Sequence, residues 1–355
     1  FLAAITVVPW YGFAHGFSGW AWVFFALFLV AGGIGIGSGY HRLWSHRAYE
    51  AHWLMRLYLA VVGGMTIQNS ILVWCIRHRF HHRDVDNNDK DPYSIGRGFW
   101  FAHIGWMLKD YQSGRLDWSI VSDLERDPVV AWQHKYYWPL VLMTNIALPV
   151  LLGWVVGDIW GVLPLAGILR LVISHHVTFF INSLAHMWGS RPYTDEDTAR
   201  DNWFLAIVTY GEGYHNFHHM FQSDYRNGIR WWQYDINKWF IAACAKLGLA
   251  KGLKRTPDFK IQRARLNMIF KRAEAKIDGS AGNPRWRELL ETEYAQFRTI
   301  IAEWQQLQME RVQQSRQKLA DAIDQSALTA RYRELERELK MQRKRIVLLT
   351  AQFYG

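Results

Sequence analysis

The sequence predicts an all-α integral membrane protein in which four transmembrane helices form two hairpins beneath a cytosolic, histidine-rich helical cap. Three observations predict this fold class. The first two-thirds of the chain is strongly apolar and contains four stretches that approach the roughly 20 residues needed to cross a bilayer. Lys and Arg are confined to one set of connections between these stretches, and 9 of the 15 histidines fall in short clusters.

The four apolar stretches cover about residues 1–13, 19–40, 136–156 and 159–188. The first has the composition of the end of a span, so we expect the sequence to be truncated at its N-terminus. Aromatic residues make up 15% of the chain, which is typical of proteins at a lipid–water boundary. Residues 1–250 are therefore predicted to form a membrane core. The glycines at 32–39 suit close packing or the end of a tunnel.

The distribution of basic residues predicts the sidedness of the spans. Residues 1–40 and the turn 156–159 contain no Lys or Arg, whereas residues 41–135 contain 12. The positive-inside rule assigns the 41–135 region to the cytosol. The turns at 14–18 and 156–159 then face the other side, which predicts a multi-pass protein with its active site on the cytosolic face.

A fifth apolar segment, 53–74, has the length of a span but includes one Arg and two side-chain amides. If this segment crossed the membrane, His46 and His78 would lie on opposite sides and could not share a metal site. We therefore interpret it as an interfacial or re-entrant helix. A plain fifth span is the alternative.

The last third, residues 251–355, predicts a cytosolic, basic helical or coiled-coil extension. Gly279–Pro284 interrupts it, and the pattern weakens around 313–326, which allows a helical hairpin. Apolar residues recur at alternating spacings of four and three, as an amphipathic helix requires: Leu290, Tyr294, Phe297, Ile301 and Trp304. We expect it to pack on the cytosolic face; anionic lipid, an acidic electron donor or a coiled-coil partner are alternatives.

The clustered histidines are the strongest functional signal: His41, His46, His78, His81, His82, His186, His215, His218 and His219. Spacings of three and four share a helical face, so each H-x-x-H-H cluster is predicted to aim three imidazoles in one direction. His41 and His46 are about 140° apart on an ideal helix. They should straddle a helix end or serve different ions.

Nine neutral imidazoles are too many for one tetrahedral zinc and suit two ions of higher coordination. Oxidation of a hydrocarbon by dioxygen needs a redox metal, which favours two iron ions. A histidine-rich metal transporter is a remote alternative, since its site should lie near the bilayer midplane. The other histidines are predicted to be structural: His15, His52, His103, His134, His175 and His176. The net charge of +10 fits anionic headgroups, and no motif indicates nucleic acid.

Four motifs carry a family resemblance: H-R-L-W-S-H at 41–46, H-R-x-H-H at 78–82, N-S-x-A-H at 182–186 and G-E-G-Y-H-N-F-H-H at 211–219. Together they resemble the membrane-bound fatty acyl desaturases, and specifically the stearoyl-CoA (delta-9) branch. The resemblance covers about residues 19–249, and we expect a bacterial member, in the inner membrane.

The resemblance implies an enzyme that inserts a cis double bond into a saturated acyl chain with dioxygen and two electrons. It implies that the nine histidines hold two irons and that Asn182 reaches one iron through a water. It also implies a bent tunnel whose kink involves Gln68, Trp74 and Thr178, with Asn69 near the headgroup. Since unpaired polar groups are costly in apolar segments, a hydrogen-bonded cluster of the three kink residues is predicted.

Glu212 could orient a ligand imidazole through its second nitrogen, or be a plain surface carboxylate. Animal members of the family carry an Arg where this chain has Ile76, and Arg77 follows one step later. A basic pair of those members is altered to Lys109-Asp110. In those members the Arg meets the CoA phosphates, so the two departures make an acyl-lipid or another thioester an alternative carrier. Acyl-CoA is the expected substrate, and hydroxylation is the alternative reaction.

The chain contains two cysteines and no Gly-rich dinucleotide fingerprint, so it cannot supply its own electrons. The sequence predicts a separate donor: a ferredoxin, a rubredoxin, or a b-type cytochrome with its reductase.

Overall fold

The computed structural model describes residues 1–279, 284–316 and 322–352. The chain divides into two compact units. The first comprises Phe1–Arg191 and Glu196–Arg255, and the second comprises Pro192–Asp195 and Thr256–Gly355. The division falls close to residue 250, where the sequence changes character.

Three helices are long and apolar enough to cross a membrane: Gly19–Ser45, Tyr137–Val155 and Ile159–His186. They are called here the first, second and third membrane helices. At about 1.5 Å per residue, even the 19-residue helix extends roughly 28 Å, close to the thickness of a hydrocarbon core. Leu2–His15, where a first span was predicted, is a shorter apolar helix, so the arrangement of four spans in two hairpins stays a prediction.

Each membrane helix contains a π-helical segment: Gly35–Ser45, Met143–Ala147 and Leu163–Leu169 respectively. A π-helix closes hydrogen bonds between residues five apart, and such segments are frequent at functional sites. The first of these segments extends the predicted span at 19–40 by several residues and carries His41.

The segment 53–74 is not the single helix predicted. It forms a helix at Trp53–Gly64, a turn at Met65–Ser70, and the start of a second helix at Ile71–Asp84. The 12 residues of Trp53–Gly64 extend only about 18 Å, too short to cross a bilayer. Because the chain turns back here, the rings of His46 and His78 lie together, with centroids 4.9 Å apart.

Shorter helices complete the first unit: Ile95–Arg97, Phe99–His103, Gly105–Met107, Gln112–Gly114, Trp118–Val121, Ser122–Glu125, Pro128–Lys135, Trp203–Val208, His215–Met220 and Ile236–Lys246. Two short strands, Glu50–Ala51 and Ala250–Lys251, pair antiparallel. The main apolar core packs the inner face of the π-helical segment against the two helices that follow, around Tyr40, Leu59 and Ile71.

The second unit contains the helices Asp258–Gly279, Pro284–Arg316 and Ala322–Gln352. The last two run antiparallel, because Arg331 pairs with Glu303 and Gln342 donates to the carbonyl of Glu293. Of the predicted apolar stripe, Phe297, Ile301 and Trp304 are buried in the core of this unit; Leu290 is partly buried and Tyr294 is exposed. The predicted chain break at 280–283 and the junction at 317–321 lie outside the described residues.

The glycines of the first membrane helix allow close backbone approach, one of the two roles predicted for them. A Cβ atom on Gly35 would lie 2.4 Å from the backbone nitrogen of Gly63 and 2.7 Å from its Cα. A Cβ atom on Gly37 would likewise clash with the side chain of Asn237, and one on Gly33 would clash with the ring of Tyr210.

We predict that Gly35→Ala lowers the free energy of unfolding by about 1–3 kcal/mol, because the methyl group meets backbone that cannot rotate away. Thermal unfolding of the detergent-purified protein measures this change. Gly19→Ala is the matched control, since nothing lies within 4 Å of the position that its methyl group would occupy. Equal melting temperatures for the two variants would contradict the close-packing role.

Candidate metal centre

The nine clustered histidines converge in two groups. The first group contains His41, His46, His78, His82 and His218, and the second contains His81, His186, His215 and His219. Within each group, one ligand atom from each ring lies within 4.8 Å of those of all the others. The described chain therefore holds two adjacent arrangements that could each bind a metal ion.

Four helix ends supply these rings. They are the end of the first membrane helix, the last turns of Ile71–Asp84, the end of the third membrane helix, and the short helix His215–Met220. The site thus depends on where the membrane helices stop, as the positions of the motifs predict.

His41 and His46 belong to the same group, and their ring centroids are 4.9 Å apart. The backbone N–H of His46 donates to the carbonyl of His41, five residues earlier, at 3.1 Å. This π-type bond brings residues five apart onto one face, which a regular α-helix does not do. The sequence predicts that His41 and His46 either straddle a helix end or serve different ions. The first alternative holds, since the helix ends at Ser45.

The prediction that each H-x-x-H-H cluster aims its three rings in one direction is wrong. His78 and His82, four residues apart, enter the first group, whereas His81 enters the second. His218 likewise enters the first group, apart from its two cluster partners. Adjacent residues are about 100° apart on a helix, so the final H-H pair must diverge. Each cluster therefore contributes to both groups.

Several rings are held through Nδ1. The Nδ1 atoms of His41, His81 and His219 lie 2.9, 2.9 and 3.4 Å from carboxylate oxygens of Glu212, Asp91 and Asp197. The Nδ1 of His186 lies 2.8 Å from the Thr198 hydroxyl, which donates its own proton to Asp86. A carboxylate only accepts, as does a hydroxyl whose proton is used, so these four rings carry their proton on Nδ1.

This assignment leaves the Nε2 lone pairs facing into the groups. The Nε2 of His215 lies 3.2 Å from that of His186 and 3.0 Å from that of His219, although the latter two carry no proton on Nε2. The Nε2 of His81 is buried without a hydrogen-bond partner among the described residues. Converging lone pairs and an orphaned nitrogen are satisfied by a cation. The residues present therefore fit a transition metal.

The electrostatics keep four of the ligand rings neutral and the carboxylate behind His41 charged. Burial lowers the pKa of His78, His82, His215 and His218, so these rings stay neutral. Burial alone would raise the pKa of Glu212, but Arg42 and His41 lower it to about 2. Glu212 is thus a carboxylate at neutral pH, in contact with Arg42 at 2.7 Å.

Glu212 contacts a ligand imidazole, which is one of the two roles predicted for it. The imidazole is that of His41, and not that of His215, which is closer in sequence. Sequence reasoning missed Asp91, Asp197 and the Thr198–Asp86 pair. Their only signal is a high density of acidic residues in the loops 84–91 and 195–201, which follow the second and third histidine motifs.

A cavity of two adjoining limbs lies beside the histidines. One limb is lined by residues that include Asn69, Arg77 and Trp106, and the other by residues that include Ile36, Val177 and Tyr210. Four residues line both limbs: Trp74, His78, Thr178 and Asn182.

The hydrogen-bonded cluster predicted at the kink is present. The amide nitrogen of Gln68 lies 3.0 Å from the hydroxyl oxygen of Thr178, and the indole N–H of Trp74 donates to the amide oxygen of Gln68 at 3.3 Å. The three side chains meet where the two limbs join. Asn69 lines the first limb, and its backbone N–H donates to the Tyr137 hydroxyl.

Several histidines outside the two groups have partners of their own. His103 contacts Ser183 and His176 through its two ring nitrogens, at 3.0 and 2.9 Å. The Nε2 of His175 lies 2.7 Å from the carbonyl oxygen of Thr66, and the Nδ1 of His134 lies 2.7 Å from the Ser70 hydroxyl. These contacts are consistent with the structural role predicted for these rings.

Helix ends that gather nine histidines into two groups able to hold a metal ion, in a chain with three helices apolar enough to cross a membrane, define a polyhistidine protein of the membrane type. The comparison with protein families identifies it further. The family model described as "Fatty acid desaturase" matches residues 2–251. The chain therefore belongs to the fatty acid desaturase family, as the motifs predict.

Individual relatives agree with this assignment. The chain is 43% identical over 269 residues to a probable acyl-CoA desaturase of Schizosaccharomyces pombe, covering 76% of this chain and 54% of the relative. It is 40% identical over 269 residues to acyl-CoA desaturase 1 of Saccharomyces cerevisiae, covering 76% and 52%. It is 40% identical over 268 residues to stearoyl-CoA desaturase 5 of Bos taurus, covering 73% and 76%.

The chain thus spans about half the length of the two yeast relatives it matches. The expectation of a bacterial source is not borne out, since these three relatives are eukaryotic.

We predict that Asp197→Asn weakens metal binding to the second histidine group by about 10–100-fold, the usual effect of removing a carboxylate behind a ligating histidine. Metal content after dialysis against graded chelator concentrations, measured by mass spectrometry, tests this. Asp89→Asn, in an exposed loop, is the control and should retain metal like the unmodified protein. Equal retention in both variants would mean that Asp197 does not support a ligand.

Proposed function

We propose that this chain is a dioxygen-dependent fatty acyl desaturase that introduces a cis double bond, at the delta-9 position, into a saturated acyl-CoA. The observation that carries the proposal is the contact between two histidine groups and an apolar cavity that bends at the Gln68–Trp74–Thr178 cluster. The names of the relatives support the same reaction. In this proposal residues 1–250 carry the activity, and 251–355 are a cytosolic extension.

The proposed metal is iron, in two ions held by the nine histidines, with Asn182 contacting one of them through a water. Imidazole ligands suit several transition metals, but oxidation of a methylene pair requires one that changes oxidation state. Bound iron would supply the chemistry by which dioxygen, two electrons and two protons remove two hydrogens and yield two waters. The carboxylates behind the ligands keep the rings oriented for this purpose.

The chain's own residues position the substrate. The limb lined by Ile36, Val177 and Tyr210 accepts the apolar tail, and its lining excludes water from the reacting carbons. The bend at Gln68, Trp74 and Thr178 holds one methylene pair beside the histidines. In this proposal the acyl chain bends where the two limbs meet, which shapes it toward the cis product.

The acyl carrier is proposed to be CoA. Arg77 lines the first limb near Asn69, with its guanidinium 5.3 Å from the centre of the Trp106 ring. Its Nε is buried and has no hydrogen-bond partner among the described residues. A cation with an unused donor beside the cavity suits an anionic headgroup, which supports a nucleotide phosphate there. An acyl-lipid phosphate is the alternative.

The remaining partners are proposals from the sequence. The two cysteines, Cys75 and Cys244, are buried and free, so electrons must come from a separate donor such as a ferredoxin, a rubredoxin or a b-type cytochrome. The basic residues between 41 and 135 support a cytosolic location for the site. The three membrane helices support an integral membrane protein.

Expression in a desaturase-deficient host tests the reaction. We expect a new cis-monoene in the fatty acids, measured by mass spectrometry, that is lost in His215→Ala because a buried ligand of the second group is removed. His15→Ala, outside both groups, is the control and should keep the product. Hydroxy acids would favour the hydroxylase alternative, and unchanged lipids despite two bound metal ions would refute desaturation.

A second prediction concerns the carrier. Arg77→Ala should raise the KM for acyl-CoA on the order of tenfold, the value of one charge-assisted hydrogen bond, and leave kcat largely unchanged. An acyl-pantetheine thioester, which lacks the nucleotide phosphates, should show little change. Arg115→Ala, at an exposed position, is the control. Equal effects on both thioesters, or turnover of phospholipid chains alone, would contradict CoA as the carrier.

A further inference from the structure

The Met65–Ser70 turn is held in an unfavourable backbone conformation. Ile67 has φ +54° and Asn69 has φ +75°, both in the left-handed region. A β-branched residue such as Ile67 is rarely found there. Strained positions of this kind persist only when the surrounding structure fixes them. Gln68, which reaches the bend of the cavity, lies between these two residues.

One of the residues that fix the turn is Arg170, which is 0% exposed within the third membrane helix. It donates to the carbonyl of Met65 at 2.9 Å, to Asn145 Oδ1 at 2.6 Å and to its own helix at Ala166. No carboxylate of the described residues pairs with it. A buried charge in a span is costly, and here it is compensated by these three oxygen acceptors and by the Phe28 ring, whose centre lies 5.8 Å from the guanidinium carbon.

The second residue that fixes the turn is His175, on the same membrane helix. Its Nε2 lies 2.7 Å from the carbonyl oxygen of Thr66, the residue after Met65. Because a carbonyl only accepts, the Nε2 of His175 carries a proton and donates it. Two consecutive carbonyls of the turn are therefore bound by two side chains of one helix.

The third membrane helix also contributes residues where the two limbs of the cavity meet. Thr178 contacts Gln68, and Asn182 lines the cavity beside the histidine groups. Arg170, Thr178 and Asn182 are separated by eight and four residues, so they lie within about one third of the circumference of the helix. One helix therefore contacts both the turn and the cavity beside the histidines, and this helix sets the distance between them.

We propose that Arg170 and His175 are positioning residues that set where along the acyl chain the double bond forms, by holding the Met65–Ser70 turn at one height on the third membrane helix. The inference rests on the proposed desaturase function. If the turn shifts, the Gln68–Thr178 contact shifts with it, and a different methylene pair comes to lie beside the histidines. Arg170 is not among the residues that line the two limbs, so its effect must pass through the turn. His175 also lines the first limb, so Arg170→Met is the variant that isolates the turn.

The test is the distribution of double-bond positions in products of the full-length protein, determined by mass spectrometry of derivatised monoenes. In Arg170→Met we expect minor positional isomers to rise on the order of tenfold relative to the main product, the factor carried by one charged hydrogen bond. In His175→Phe, which removes a neutral hydrogen bond from a ring of similar shape, we expect about fivefold. Metal content should match the unmodified protein, and Arg126→Gln, at an exposed position, should leave the distribution unchanged.

A loss of folded protein lowers total product but does not redistribute the double bond, so the isomer ratio separates positioning from stability. An unchanged ratio in His175→Phe with full metal content overturns the inference, even if Arg170→Met does not accumulate. If the unmodified protein makes no monoene, the proposed function fails instead. If it makes one isomer and both variants make the same one, the function stands and the positioning role falls.

Discussion

The site depends on one constraint: imidazole nitrogens that converge without protons need a cation between them. In the second group this constraint is visible in three of the four rings, while the Nδ1 of His215 has no hydrogen-bond partner among the described residues. Asp91, Asp197 and the Thr198–Asp86 pair fix the protons of His81, His219 and His186 on Nδ1, and so direct bare nitrogens inward. Without a cation these lone pairs would repel one another in a buried, poorly screened space.

The first group is supported differently. Only His41 has a carboxylate at Nδ1, and that carboxylate, Glu212, also contacts Arg42 and Asn227. Arg42 in turn pairs with Asp235, which accepts the backbone N–H groups of residues 227 and 228. The end of the first membrane helix is therefore tied to the chain that follows the last histidine motif. A π-helical segment then brings His46 to the same face as His41.

The sequence predicted that the nine histidines converge and that three polar side chains form a hydrogen-bonded cluster, because these follow from local spacing and from the cost of unpaired polar groups. Gln68 and Thr178 had to find partners in an apolar setting, and Trp74 was the donor at hand. The π-helix at Gly35–Ser45 was not predictable, because it is defined by a hydrogen-bond register and not by a residue pattern. Asp91 and Asp197 were missed because nothing in their local spacing relates them to their partner rings.

The same cost of polar groups in apolar surroundings explains why a short turn can carry specificity. A loop in water exchanges its hydrogen bonds with solvent and moves freely, whereas the carbonyls of Met65 and Thr66 have no such exchange within the apolar core. They must be bound by protein donors, and each donor has one geometry. Arg170 and His175 meet this requirement from a single helix. The hydrogen bonds that the two carbonyls need therefore also fix the position of Gln68 along that helix. In the proposed positioning role, the buried hydrogen bonds of this turn therefore set which methylene pair of the acyl chain lies beside the histidines.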